Sequence, residues 1–298
     1  MEISIKNKLL ILSDNKPGHL NQSIAFAKLM GYEYDILEVS YKKRWYKSLS
    51  YILARLNIFT FCLYDYNKSI LNHMTPYDFV IGAGSTTYYF LQTVTNKFFI
   101  KSVVLMLPKG YNYSKFDYII AQEHDSPIQK ENIIVLPVNI SINEPKGYIK
   151  KDDDKKSIGI ILGGNNKVFF MDEDIIKQTL DDIFEKYKDY KKYITTSRRT
   201  PKQIEELLDN YEFDYKLIYS KEPNINPIAD FIDICDELFI SIDSTSMLSE
   251  ARANSNAKIH IIDLKSYTKD TKFHKIAEII QNIDHKIEFQ PYLDIIKL

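Results

Sequence analysis

Cysteine is nearly absent from this chain: Cys62 and Cys235 stand far apart, with no CxxC spacing. That excludes a disulfide framework and a cysteine-based zinc site, and makes a reducing compartment the default. Glycine is scarce while Lys, Ile, Asn and Tyr are abundant, a drift in composition with no bearing on function. Neither sign of charge is in excess: the formal net charge is −1. A dedicated nucleic-acid binder usually carries a basic surplus, so that class is set aside. No segment approaches the ~20 apolar residues needed to cross a bilayer. The N-terminal apolar run is short and is closed by Asp14, so it reads as a buried strand and not a signal peptide. A cytoplasmic protein is expected.

What is present suits a packed protein. Hydrophobic residues make up 45% and charged residues 27% of 298, which excludes wholesale disorder and fits two domains of roughly 150 residues. Short β-branched runs at 8–13, 34–40, 78–82, 102–107, 116–121 and 133–136 alternate with helical patterns. A second series follows at 157–162, 192–196, 215–219, 237–242 and 258–262. Such alternation builds parallel sheets covered by helices on both faces. The polar stretch from Glu144 to Lys156, with Pro145 and Gly147, breaks the rhythm and reads as a linker. The expected architecture is therefore α/β: two Rossmann-like domains, 1–145 and 155–298, with the last helix able to return to the first. Their sheets would face each other across a cleft, with ligands at the strand C-termini.

Most strand ends carry candidate chemistry. The first leads through Asp14, Gly18 and His19 into a helix; Gly18 permits a close approach, and His19 offers an imidazole, a side-chain type suited to acid–base work. Gly84, in Gly-Ala-Gly-Ser, marks a second turn, read more readily as structural than as a phosphate or acceptor site. His124 and Asp125, in Glu-His-Asp, offer cleft polar groups or a second acid–base candidate; no third ligand at metal-site spacing accompanies them. In the second half, Gly163, Gly164, Asn165 and Lys167 follow the first strand, a set suited to an anion. Ser197, Arg198 and Arg199, before Pro201, suit a diphosphate clamp at a helix start, a reading their place at a strand end favours over a solvated basic pair. Ser244, Thr245 and Ser246 open another helix, where they can cap it or face a ligand, and Glu250 lies about two turns on.

One stretch stands apart. From Val39 to Tyr64 there is no acid, whereas Lys42, Lys43, Arg44, Lys47 and Arg55 are interleaved with aromatic residues. Trp45, Leu49, Ile52, Leu53 and Leu56 share a helical face. Residues 41–64 thus suit either a helix lying on an anionic membrane surface or a core-facing helix with a solvated basic side.

Taken in order, DNKPGHLNQ, EHD, LGGNNK, TTSRRTP, NP and DSTSMLSEA resemble the Elm-type mitochondrial fission family. Its bacterial members are classed with glycosyltransferases of GT-B-like fold, and the motifs span Asp14 to Ala251. The resemblance implies a nucleotide-sugar donor in the C-terminal domain, its phosphates held by the glycine loop and the arginines. Ser244 to Ser246 and Glu250 would meet the ribose or the phosphates. His19, helped by Asp14, would be the general base towards a cell-surface glycan or lipid-linked acceptor, for example lipopolysaccharide or capsule. Gly18, Gly84, His124 and Asp125 would lie on the acceptor side. No metal or further cofactor is expected. The alternatives are a non-catalytic membrane-associated adaptor, and a sugar-nucleotide epimerase or hydrolase.

Overall fold

The computed structural model describes residues 8–72, 74, 77–152, 154–268 and 272–296. Two compact units divide it: 1–141 together with 288–298, and 142–287. The first unit opens with β1 (Lys8–Ser13), α1 (Pro17–Leu29), β2 (Glu33–Tyr41), α2 (Tyr46–Arg55), β3 (Tyr64–Tyr66) and α3 (Lys68–Leu71). It continues with β4 (Phe79–Ala83), α4 (Tyr88–Phe98), β5 (Lys101–Leu105), β6 (Tyr118–Gln122) and β7 (Ile133–Leu136). The second comprises β8 (Ser157–Ile161), β9 (Phe169–Phe170), α5 (Glu173–Lys186), β10 (Lys191–Thr195), α6 (Lys202–Leu207) and β11 (Tyr215–Leu217). After these come α7 (Ile228–Ile234), β12 (Glu237–Ser241), α8 (Thr245–Asn254), β13 (Lys258–Ile262), β14 (Lys265–Ser266) and α9 (Lys272–Gln281). A last short helix, α10 (Gln290–Leu293), belongs to the first unit and packs on β7.

The first sheet runs β3-β2-β1-β4-β5-β6-β7, and the second β11-β10-β8-β12-β13. Within these two sheets every described pairing is parallel except β2 with β3. Strands covered on both faces read as unbroken apolar runs. Accordingly Leu9 to Leu12 of β1, Phe79 to Ala83 of β4 and Ser157 to Ile161 of β8 are all buried. Leu10, Leu12, Val80 and Val104 pack with Phe90, Leu91 and Val94 of α4 and with the inner side of α2. Each such buried Leu or Phe contributes roughly 1.5–3 kcal/mol.

Three strands escape the sequence pattern. β3 is a three-residue edge strand, Tyr64-Asp65-Tyr66, paired antiparallel with Val39 to Tyr41. β9 and β14 form a separate antiparallel ribbon of two residues each. Runs this short show no period. The polar stretch after Asn143 is pinned in place: the Asp230 carboxylate in α7 accepts the backbone N–H groups of Lys146, Gly147 and Tyr148 at 2.7, 2.8 and 3.0 Å. No helix among the described residues is long and apolar enough to cross a membrane.

Candidate functional site

In a doubly wound sheet the chain leaves the first strand towards one edge and later returns to the other side, which opens a crevice beside that strand. Here the crevices fall between β1 and β4 in the first sheet and between β8 and β12 in the second. Most of the candidate residues cluster at these two places; His124 and Asp125, after β6, do not.

In the second unit the loop after β8 is built around Asp243, whose side chain is fully buried. Its Oδ2 accepts the Gly164 N–H at 3.0 Å and the Arg199 guanidinium at 2.6 Å. Its Oδ1 accepts the Ser241 hydroxyl at 2.6 Å, and that Oγ accepts the Gly163 N–H at 2.7 Å. Ser197 in turn donates to the Gly163 carbonyl at 2.7 Å. The Asn165 N–H donates to the Arg199 carbonyl at 3.1 Å. A Cβ at Gly164 would stand 2.1 Å from the carbonyl carbon and oxygen of Arg199, so only glycine fits between the two loops. One buried carboxylate therefore ties the glycine loop, the Ser-Arg-Arg turn and the start of α8 together.

This arrangement sorts the residues singled out from sequence. Arg199 spends its charge on Asp243, Ser197 its hydroxyl on Gly163, and the Asn165 side-chain oxygen Oδ1 accepts the Met171 N–H at 2.8 Å. These three shape the loop. Ser244 caps α8, accepting the Met247 N–H. Arg198 and Lys167 are exposed, with no carboxylate within salt-bridge distance among the described residues. Thr245 and Ser246, in the first turn of α8, likewise make no side-chain hydrogen bond within the described protein. The Glu250 carboxyl is half-buried, and burial alone pushes it above the usual carboxylate range. It too has no hydrogen-bond donor among the described residues.

The linkage at Glu250 has a definite sign. A raised carboxyl's contribution to stability is fully present below its unperturbed value of 4.5 and is lost as pH climbs through the raised folded value. Glu250→Gln is therefore expected to melt above the wild type at neutral pH, with the gap closing in acid. Thermal melts at pH 4 and pH 7.5 check this. A lower melting temperature at both would show that the carboxylate is structural.

In the first unit, β1 runs into Asp14, and Pro17 supplies the first position of α1, where a missing N–H costs nothing. Asp14, with only 2% of its side chain exposed, accepts His19 Nδ1 at 2.9 Å and Lys16 Nζ at 2.8 Å. Burial pushes this carboxyl up, but the hydrogen bonds from Lys16 and His19 outweigh it and hold Asp14 below its ordinary range. A carboxylate at Nδ1 selects the tautomer with hydrogen there, which leaves Nε2 a free lone pair. The His19 ring lies over Gly84 of the neighbouring strand end: a Cβ there would stand 2.3 Å from Cε1, and φ is +84°. Glycine at 84 makes the seat for the histidine.

The fold thus brings Asp14, His19 and Gly84 together. Lys47 also arrives, donating to the Ser85 hydroxyl at 2.8 Å, an approach with no sequence signal. Asp125 lies at the end of β6, bound by Lys109 at 2.6 Å, and His124 is buried beside it. At Gly18 an added Cβ would meet nothing within 4 Å, so nothing in the structure demands glycine there. Among the described residues no group of three or more His, Cys, Asp or Glu side chains is placed to hold a metal ion. Asp243 is the residue that reading the sequence underrated. Its signal was an acid directly after a strand, but its partner Arg199 lies 44 positions away.

Two Rossmann-like units with their polar residues at the switch points define an α/β protein of GT-B-like fold. The chain belongs to the mitochondrial fission ELM1 family, whose profile matches residues 17–291. It is 25% identical to the uncharacterized protein RP120 of Rickettsia prowazekii, over 93% of this chain and 88% of that protein. Among solved structures it is similar to Acinetobacter baumannii MurG, at 12% identity and a TM-score of 0.52, covering 94% of this chain and 85% of that one. It is also similar to Staphylococcus aureus MnaA with UDP, at 14% identity and a TM-score of 0.50, covering 91% and 82%. At these identities the likeness is one of fold.

Proposed function

We propose that this protein transfers a sugar from a nucleotide-activated donor to a hydroxyl of a cell-surface glycan or lipid-linked acceptor. The observation that carries the reading is the set of unspent groups around the first half of α8. Arg198, the free N–H groups of the helix start and the hydroxyls of Thr245 and Ser246 suit a diphosphate. Glu250, a half-buried carboxyl lacking donors, suits the two hydroxyls of a ribose. UDP in the similar MnaA supports a nucleotide ligand.

In this reading His19 Nε2 takes the proton of the acceptor hydroxyl. That oxygen bonds to the anomeric carbon as the bond from carbon to the diphosphate oxygen breaks. Arg198 and the α8 dipole then stabilise the charge that develops on the departing diphosphate. With the phosphate charge met by protein groups, turnover is proposed to be independent of added divalent metal.

Calorimetry against UDP, GDP, ADP, TDP and CMP, with magnesium or with EDTA, is the direct test. One nucleotide is expected to bind saturably under both conditions. Arg198→Ala should weaken it by about ten-fold or more, the loss of a charge-assisted contact, with the melting temperature unchanged. Unaltered affinity in Arg198→Ala would remove the clamp assignment, and absence of any nucleotide binding would favour a non-catalytic adaptor. Product analysis separates transfer from epimerisation or hydrolysis of the donor.

A further inference from the structure

The helix that the sequence left between two readings is only half used by the core. Ser50 is fully buried, and Leu49, Leu53 and Ala54 of α2 pack on the main cluster of the first unit. Trp45, Ile52 and Leu56, seven and four positions apart, fall within about 40° of one another around the axis at ~100° per residue. They remain 58%, 55% and 62% exposed. Ile58, in the turn that follows, is 49% exposed. That turn is held rigidly, since the Tyr89 hydroxyl donates to the Ile58 carbonyl at 2.9 Å and accepts the Thr60 N–H at 3.2 Å. The stripe is therefore an ordered apolar ridge rather than a loose end.

Its surroundings are of one sign. Lys42, Lys43, Arg44 and Arg55 are exposed and pair with no acid among the described residues, and none of the 26 residues from Val39 to Tyr64 is acidic. This excess of five positive charges sits in a chain whose net charge is −1. Lys97, at the end of α4, adds a further cation, lying 5.4 Å over the ring of Phe61 just beyond the turn. Two positions further on, Phe99 is 92% exposed with φ +57°, a left-handed conformation that an aromatic residue adopts at a cost and that here gains no packing.

We propose that the ridge of Trp45, Ile52, Leu56 and Ile58 seats this protein on an anionic lipid surface, with the flanking lysines and arginines at the headgroups. An amphipathic helix with apolar and aromatic residues on one side and cations beside them matches the interfacial zone of a bilayer, where a tryptophan spans the wet and the apolar layers. The charge favours lipid over a protein partner of ordinary surface: unpaired cations ringing an apolar ridge gain most from a dense plane of anionic headgroups. The inference is independent of the sugar-transfer reading, because the ridge residues and Lys42, Lys43, Arg44 and Arg55 lie outside the switch-point sites, and Lys47, which donates to Ser85, is not needed for it.

The test is flotation of the full chain with vesicles of phosphatidylcholine alone and of phosphatidylcholine with phosphatidylglycerol. The wild type is expected to float with the anionic vesicles, poorly with the neutral ones, and less at high salt. The triple change Trp45→Ser, Ile52→Ser, Leu56→Ser should reduce the floated fraction at least ten-fold. Lys42→Glu with Arg44→Glu and Arg55→Glu should do the same. All these positions are exposed, so unchanged melting curves are expected and serve as the folding control. Failure of the wild type to float with anionic vesicles would overturn the proposal, as would undiminished flotation of both variants. Concentration-dependent self-association abolished by the serine variant, without lipid binding, would reassign the ridge to a protein interface and equally overturn it.

Discussion

His19→Ala is expected to lower the transfer rate by about 10²- to 10⁴-fold while leaving nucleotide affinity unchanged, the span of a lost general base. At about 1.4 kcal/mol per decade this corresponds to roughly 3–5 kcal/mol of barrier. The expectation rests on how the ring is held. Asp14 binds Nδ1 at 2.9 Å, and the ring lies on Gly84. Orientation and tautomer are thus set before any ligand arrives, and only Nε2 is left to act. The groups proposed to hold the nucleotide belong to the other unit, anchored on Asp243. That is why binding and turnover should separate. Asp14→Asn is the companion variant: it keeps an oxygen that can face Nδ1 but loses the charge, so an intermediate loss of rate is expected. Wild-type turnover in His19→Ala would eliminate the base assignment. A rate loss matched by an equal loss of nucleotide affinity would point to a folding defect instead.

The legibility of this protein in its sequence follows from physical causes. Central parallel strands are buried on both sides, so β1, β4 and β8 announce themselves as nearly unbroken apolar runs. β3, β9 and β14 are edge or ribbon strands of two or three residues, stabilised by pairing partners far along the chain, and nothing local marks them. The site behaves in the same way. Strand-end motifs point to the switch points because a turn there must combine glycine with polar residues, which made Gly84, Gly163, Gly164 and the Ser-Arg-Arg turn visible. What each side chain is spent on depends on distant partners. Arg198 and Arg199 are neighbours of one type, yet one is exposed without an acidic partner among the described residues and the other is half-buried, paired with the buried Asp243. Helix α2 shows the same limit from another side, since periodicity found its apolar stripe but not that half of it would face outward.

That pair sets the second large expectation. Arg199→Ala removes the cation from a fully buried carboxylate that also holds Gly164 and Ser241. Breaking a buried pair from one side leaves an uncompensated charge, a cost of about 3–5 kcal/mol, somewhat less here because the Arg199 side chain is 35% exposed. The second unit should therefore melt earlier, and hydrogen exchange at Gly163 to Asn166 should quicken. Removing both charges with Arg199→Met and Asp243→Asn should recover much of the loss, because the asparagine can still accept the Gly164 N–H and no buried charge remains. Nucleotide affinity should fall in the single variant as a consequence of the loosened loop and return partly in the double one, whereas Arg198→Ala should lose affinity with no change in melting. The contrast decides what each arginine does. If Arg199→Ala melts like the wild type and yet binds no nucleotide, then Arg199 contacts the ligand directly and Asp243 is only its resting place.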